Sequence, residues 1–178
     1  LNAEELVCHW ANGPIEIDGK ASEVAWKSAS VIDTFRIPGS LTTRPMTSTR
    51  ARVLWDREFL YFFAELEDHD LFADVVTRDG KTWDNDVFEM FFKPSQTESG
   101  YYEFQVNAAG TEMDLFLPDQ QSGGYDALKS SHLFHWKSAV QRNGTLNLRE
   151  DRDESWSVEG KIPWIDFMHT GGRPDVDE

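Results

Sequence analysis

Trp83, Asp84, Asp86 and Glu89 stand close together in this chain, and Glu103, Gln105 and Asn107 recur at every second position a little further on. Trp83 lies in a polar, acidic stretch, Thr82-Trp83-Asp84-Asn85-Asp86, where burial in a core is hard to arrange. An indole left exposed there is a flat surface on which the C–H face of a ring-shaped ligand such as a sugar can stack. Glu89, Glu103, Gln105 and Asn107 are planar polar groups able to exchange hydrogen bonds with the hydroxyls of such a ligand. Asp84 and Asp86 offer oxygens that could cap the turn or, with Asp68, Asp70 or Asp74, hold a structural calcium ion. Calcium takes six or more oxygen ligands, and no EF-hand spacing is present. His132-x-x-His135 is a poor metal pair, because strand residues three apart point to opposite faces and zinc needs three or four convergent ligands.

These residues need strands to position them. From Val87 onward, Phe88, Met90 and Phe92 fall on one face, and Val87, Glu89 and Phe91 on the other. Tyr102, Phe104 and Val106 alternate in the same way with Glu103, Gln105 and Asn107. If the two strands are neighbours, the acids and amides share one polar face; the plain alternative is a face wetted by solvent, as antiparallel sheets often have.

The rest of the chain repeats the strand pattern. Residues 49–55 and 60–66 read as an antiparallel hairpin around Asp56-Arg57-Glu58. Ile15 and Ile17 read as a short strand before the Asp18-Gly19 turn, and residues 21–25 as about one helical turn that delivers Trp26 to the core. Residues 71–80 read as an acidic connection with a short helical turn. Met113 and Leu115 alternate with Glu112, Asp114 and Phe116, and residues 118–131 form a long loop containing Tyr125. Residues 133–141 form another strand, and Asn143-Gly144 predicts a tight hairpin returning through Leu146 and Leu148. That turn also accounts for the Asn143-Gly144-Thr145 glycosylation triplet. Trp156 to Ile162 is the last strand. Many short strands with almost no amphipathic helix predict an all-β fold, an antiparallel β-sandwich.

The totals fit this reading. At 178 residues the chain is the size of one domain, and 13% aromatic content with seven Trp and twelve Phe suits a wide β core. A net charge of −15 argues against nucleic acid and against an anionic membrane surface as partners. The single cysteine, Cys8, excludes an internal disulfide. No apolar run approaches the ~20 residues of a membrane span. The chain starts at Leu1 without an initiator Met and ends in a loop-like stretch. It therefore reads as an excised piece, with residues 1–14 a lead-in and 15–178 a sandwich whose last strands lie beyond Glu178.

Several spaced motifs together resemble the family 9 carbohydrate-binding modules and their DOMON-like relatives. They are Ile17-Asp18-Gly19 with Glu23 and Trp26; Arg52-Val53-Leu54-Trp55-Asp56 with Leu60-Tyr61; and Trp83-Asp84-Asn85-Asp86-Val87-Phe88-Glu89. Tyr102 to Asn107 with Gly110-Thr111, and Trp156 to Trp164, complete the series. The resemblance implies an immunoglobulin-like or jelly-roll-like sandwich that binds the end of an oligo- or polysaccharide. It implies a non-catalytic module attached to other domains of a larger glycan-degrading polypeptide, working in an extracellular or periplasmic setting. It assigns ring stacking to Trp83 and hydroxyl recognition to Glu89, and puts Gln105 where family members carry a basic sugar contact. A second stacking Trp belongs to the family's final segment, beyond this chain's end, and family members often bind structural calcium. Three other functions are open: a glycoside hydrolase with paired carboxylates, a haem domain drawing on Met46, Met90, Met113 or His69, and a structural or interaction role within a larger polypeptide.

Overall fold

The computed structural model describes residues 5–40, 42–94, 97, 99–119, 124–129 and 133–173. They form two sheets. The larger joins β1 (His9–Trp10), β2 (Val31–Ile32), β3 (Thr49–Trp55), β4 (Phe59–Glu67), β8 (Lys137–Asn143) and β9 (Ser155–Pro163) in the order β1-β3-β4-β9-β8, with β2 also beside β3. The smaller is β5 (Val87–Phe92), β6 (Tyr101–Asn107) and β7 (Glu112–Leu117), in that order. All pairings are antiparallel except β1 with β3. The expected all-β sandwich is present. Among the described residues no helix is long and apolar enough to cross a membrane.

The β3–β4 hairpin forms as expected, and Asp56 shows why. One carboxylate oxygen accepts the Glu58 and Phe59 N–H groups, both at 2.8 Å, and the other accepts the Tyr61 hydroxyl at 2.8 Å. β4 is buried on both faces. Leu60, Phe62 and Ala64 point between the sheets with Phe88, Phe104, Trp136, Trp156 and Val158. Tyr61 and Phe63 point the other way, into a second cluster with Leu54, Ile15 and Trp26 under the N-terminal segment. Phe62 lies across from Gly160 in register, and a Cβ there would stand 2.2 Å from its ring, so only glycine leaves room.

The N-terminal segment is fastened by one buried carboxylate. Glu159 on β9 is fully buried and accepts the Asp18 N–H (2.9 Å), the Gly19 N–H (3.0 Å) and the Trp26 indole N–H (2.9 Å). Burial pushes its carboxyl above the usual range, against the pull of those three donors. Trp26 is buried as expected, on the short 3-10 helix Val24–Ser28.

Several elements differ from the sequence expectation: the strand expected at 133–141 forms at Lys137–Asn143, and a short helix, Tyr125–Leu128, lies in the stretch read as a loop. Residues 15–17 join no sheet, because the N–H groups that follow them go to Glu159. Part of the stretch read as lead-in does join one: His9 and Trp10 pair with Leu54 and Trp55. In the 71–80 connection, residues 71–76 hold no helical turn; the turn comes at residues 77–80, where the Gly80 N–H meets the Thr77 carbonyl at 2.9 Å and Asp79 takes a left-handed φ of 59°. Asn143-Gly144 makes no tight hairpin; β8 pairs with β9, Asn143 opposite Ser155. The buried Asp153 sets that course, since it accepts the Thr145 N–H at 2.7 Å and packs against Gly144 too closely for any side chain there.

Replacing Glu159 with Gln removes one acceptor oxygen and places an NH2 group against N–H donors. The folded state should lose ~1–3 kcal/mol, seen as a lower urea midpoint, and Trp26→Phe should lose less. Unchanged midpoints would show that Glu159 does not hold the N-terminal wrap.

Candidate functional site

The candidate site is built on the face of the small sheet that points away from the sandwich core. Its positioning begins with residues 71–75, which leave the large sheet and have no strand to pair with. Side-chain oxygens take their N–H groups instead: Asp153 at Leu71 (2.6 Å), Asp86 at Phe72 (2.6 Å), Asn147 at Ala73 (2.8 Å) and Asn85 at Val75 (3.0 Å). Asn85 and Asp86 belong to the Trp83 turn, so that turn is tied to the crossing segment.

The turn is tied to the sheet as well. Thr82, fully buried on the 3-10 helix Thr82–Asp84, donates its hydroxyl to the Gln105 carbonyl at 2.6 Å. Trp83 follows directly and is 39% exposed. Its ring meets Tyr125, on the short helix α1 (Tyr125–Leu128), edge to face at 4.8 Å and 88°. The Tyr125 hydroxyl donates to the carbonyl of Asp79, which sits in the left-handed region at φ 59°.

Register sets out the face in rows. Glu89 pairs with Gln105, which pairs with Met113; Phe91 pairs with Glu103, which pairs with Leu115. Phe88, Met90, Tyr102, Phe104 and Val106 face the core as expected. β7 turns Phe116 and the nearly buried Asp114 toward that core, with Asp114 accepting the Trp136 indole N–H at 2.7 Å and paired with Arg78. Met113 and Leu115 are therefore buried on the site side, beneath the cover supplied by the 71–86 segment and α1.

The predicted site residues divide. Trp83 and Glu89 are exposed and Glu103 is half-buried beside them. Gln105 is only 1% exposed, with its carbonyl held by Thr82 and its NH2 donating to Glu103 at 2.5 Å. Asn107 is fully buried, and its amide is committed within the protein. The NH2 donates to the Val75 carbonyl (2.8 Å) and Asn85 (2.9 Å), while the oxygen accepts the N–H groups of Ala109 (3.1 Å) and Thr111 (2.8 Å). The alternation that put Asn107 on the polar face was right about the face; the covering segment keeps it dry. Partial burial and the neighbouring Glu103 charge push the Glu89 carboxyl up; burial pushes Glu103 up against the opposing Gln105 hydrogen bond.

Asp84 and Asp86, the residues offered for a metal, are placed differently. Asp86 takes the Phe72 N–H, and burial together with the Asp68 and Asp70 charges holds its carboxyl above the usual range; Asp84 is exposed. Among the described residues no three His, Cys, Asp or Glu side chains converge as metal ligands. His135 pairs with the buried Asp166 at 2.9 Å, and His132 lies outside the described residues. The residues considered for haem are scattered: Met46 is fully exposed, Met90 is in the core and Met113 is on the other side of the small sheet.

Sequence reasoning had placed Phe91 on the Glu89 face without giving it a role; it is 58% exposed. Tyr125 carried no local signal, because its meeting with Trp83 joins two separate connections.

The model of the "Carbohydrate family 9 binding domain-like" family matches residues 17–176. Endo-1,4-beta-xylanase A of Thermotoga maritima is 33% identical over 98 residues, which are 51% of this chain and 8% of the xylanase. The chain thus spans a small part of that relative. A family 9 carbohydrate-binding module from Caldicellulosiruptor kristjanssonii, solved with glucose, superposes with TM-score 0.56 at 17% identity, covering 94% of this chain and 70% of the module. The same organism's family 9 module with cellotriose gives TM-score 0.52 at 17% identity, covering 88% and 66%. At that identity the likeness shows the fold. With the family's model matching most of the chain and its sandwich present, this chain belongs to the carbohydrate family 9 binding domain-like family.

Proposed function

We propose that this domain binds an oligo- or polysaccharide on the outer face of its small sheet, stacking one sugar ring on Trp83 and meeting its hydroxyls with Glu89 and Glu103. The observation that carries this reading is Trp83 itself: a large aromatic left exposed beside open carboxylates, on a turn anchored by buried Thr82 and Gln105. Gln105 and Asn107 act beneath the surface. Gln105 orients the Glu103 carboxylate, and Asn107 fixes the backbone that carries the turn.

Glu89 and Glu103 have no basic partner among the ion pairs of the described residues. Ionised, Glu89 and the Glu103 oxygen that Gln105 does not reach are open acceptors, and sugar hydroxyls supply donors. The module itself performs no chemistry in this reading. It brings attached domains of a secreted glycan-degrading protein to their polymer, outside the cytoplasm. Solved relatives with glucose and cellotriose, and the xylanases, point to β-linked glucans or xylans as the ligand class.

Trp83→Ala should weaken binding of cello- or xylo-oligosaccharides at least about tenfold, ~1.4 kcal/mol, by calorimetry. Its melting temperature should fall by less than about 4 °C, the shift expected from ~1 kcal/mol. A variant that melts much earlier would assign Trp83 to packing instead.

The raised Glu89 carboxyl gives a pH signature. As pH falls, binding should weaken from above the ordinary carboxylate value of about 4.3, because Glu89 gains its proton early and ceases to be a pure acceptor. Stability moves the other way. A folded-state pKa above the unfolded one contributes stability that is present at low pH and lost as pH rises through the folded value. Glu89→Gln should therefore bind more weakly and with a flatter pH profile, yet melt higher near neutral pH, with that gain vanishing below about pH 4. A pH profile identical to that of the parent protein would remove Glu89 from the site.

A further inference from the structure

Tyr125 touches Trp83 yet has no part in the proposed sugar contacts. It begins α1, well separated from Trp83 in the chain, and three contacts fix its side chain. The hydroxyl donates to the Asp79 carbonyl, the Lys129 ammonium stands 5.0 Å from the ring centroid, and the ring meets the Trp83 indole at 4.8 Å and 88°. Lys129 is in turn paired with Asp126 at 2.7 Å.

The anchor beneath Tyr125 is costly to build. Asp79 is a non-glycine residue at φ 59°, and its carboxylate oxygen Oδ1 is buried with no hydrogen-bond partner among the described residues. An unfavourable backbone and an unpaired oxygen persist only where the surroundings impose them. Here the Asp79 N–H donates to the Glu112 carbonyl at 3.0 Å, and the preceding Arg78 pairs with Glu112 and Asp114. Asp114 accepts the indole N–H of buried Trp136 at 2.7 Å. A continuous path of contacts therefore runs from the core through β7 and Asp79 to Tyr125, and ends on the Trp83 ring. A residue that only covered Met113 and Leu115 would need bulk. It would need neither a hydroxyl bound to a left-handed residue nor a ring set edge to face against an indole.

An indole that reaches the surface has two side-chain torsions to settle. A stacking platform must hold one orientation, and ordering a side chain only when the ligand arrives costs affinity. We propose that Tyr125 is a positioning residue for Trp83, holding the indole in one orientation before binding without itself touching the sugar. This inference rests on Trp83 being the stacking platform.

The test combines calorimetry with cellotriose and fluorine NMR of protein grown with fluorotryptophan. Seven tryptophans give seven fluorine signals, and the one lost in Trp83→Phe reports Trp83. Tyr125→Ala and Tyr125→Leu should bind about three- to tenfold more weakly. In both, the Trp83 signal of the sugar-free protein should narrow toward that of a freely turning indole, while the melting temperature falls by less than about 4 °C. Tyr125→Phe keeps the ring and should restore the broad signal and an affinity within about twofold of the unmodified domain. Unweakened binding by Tyr125→Leu, a Trp83 signal unchanged in the Ala and Leu variants, or a Phe variant no better than Leu would overturn the positioning role while leaving Trp83 as the platform. No binding of cellotriose by the unmodified domain would defeat the Trp83 reading, and this one with it.

Discussion

A buried peptide group must find a hydrogen-bond partner, and residues 71–75 have to meet that requirement without a neighbouring strand. They do so by borrowing side-chain oxygens from two distant places. Asp153 and Asn147 come from the connection between β8 and β9, and Asn85 and Asp86 from the Trp83 turn. Asn107 at the end of β6 completes the knot through Val75 and Asn85. Each N–H left unpaired would cost ~1–3 kcal/mol, so the crossing segment, the turn and the small sheet hold one another in a single arrangement. Trp83 is exposed as a consequence. Thr82 before it and Asn85 and Asp86 after it are committed inward, and the indole is left at the surface.

The acidic composition looks different once the acids are placed. Asp56, Asp114, Asp153, Asp166 and Glu159 serve inside the fold as acceptors for N–H and O–H groups. Glu159 is the extreme case, closing the N-terminal wrap with three donors. Glu89 and Glu103 are set apart because they share a face with each other, both are pushed toward the protonated form, and the side is open. Carboxylates that repel one another at a surface gain from a neutral ligand rich in hydroxyl donors.

Much of this was legible before the fold. Period-two alternation gave the strands and correctly sorted Phe88, Met90, Phe104 and Val106 from Glu89, Glu103 and Gln105. It failed where tertiary demands outran local preference. Asn143-Gly144 has the composition of a tight hairpin, yet buried Asp153 needs Thr145 and Leu71 as donors, and the chain takes a longer path to meet them. The motifs around Asp18-Gly19, Trp26 and Glu159 were each visible as words, but nothing local says that a carboxylate on one takes N–H groups from the others.

By itself, the sequence determined the sandwich, its aromatic core, and the association of an accessible tryptophan with a row of acids and amides. Tertiary structure decided which of those polar residues meet solvent. Alternation divides a strand into two faces but does not say what covers each one. The 71–86 segment covers Asn107 and Gln105 and turns them into supports. It leaves Trp83, Glu89 and Phe91 open, and it hides Met113 and Leu115 on a side where solvent was the simpler expectation. Which face is dry depends on where a distant segment finds its hydrogen bonds, and those partners are far apart in the chain.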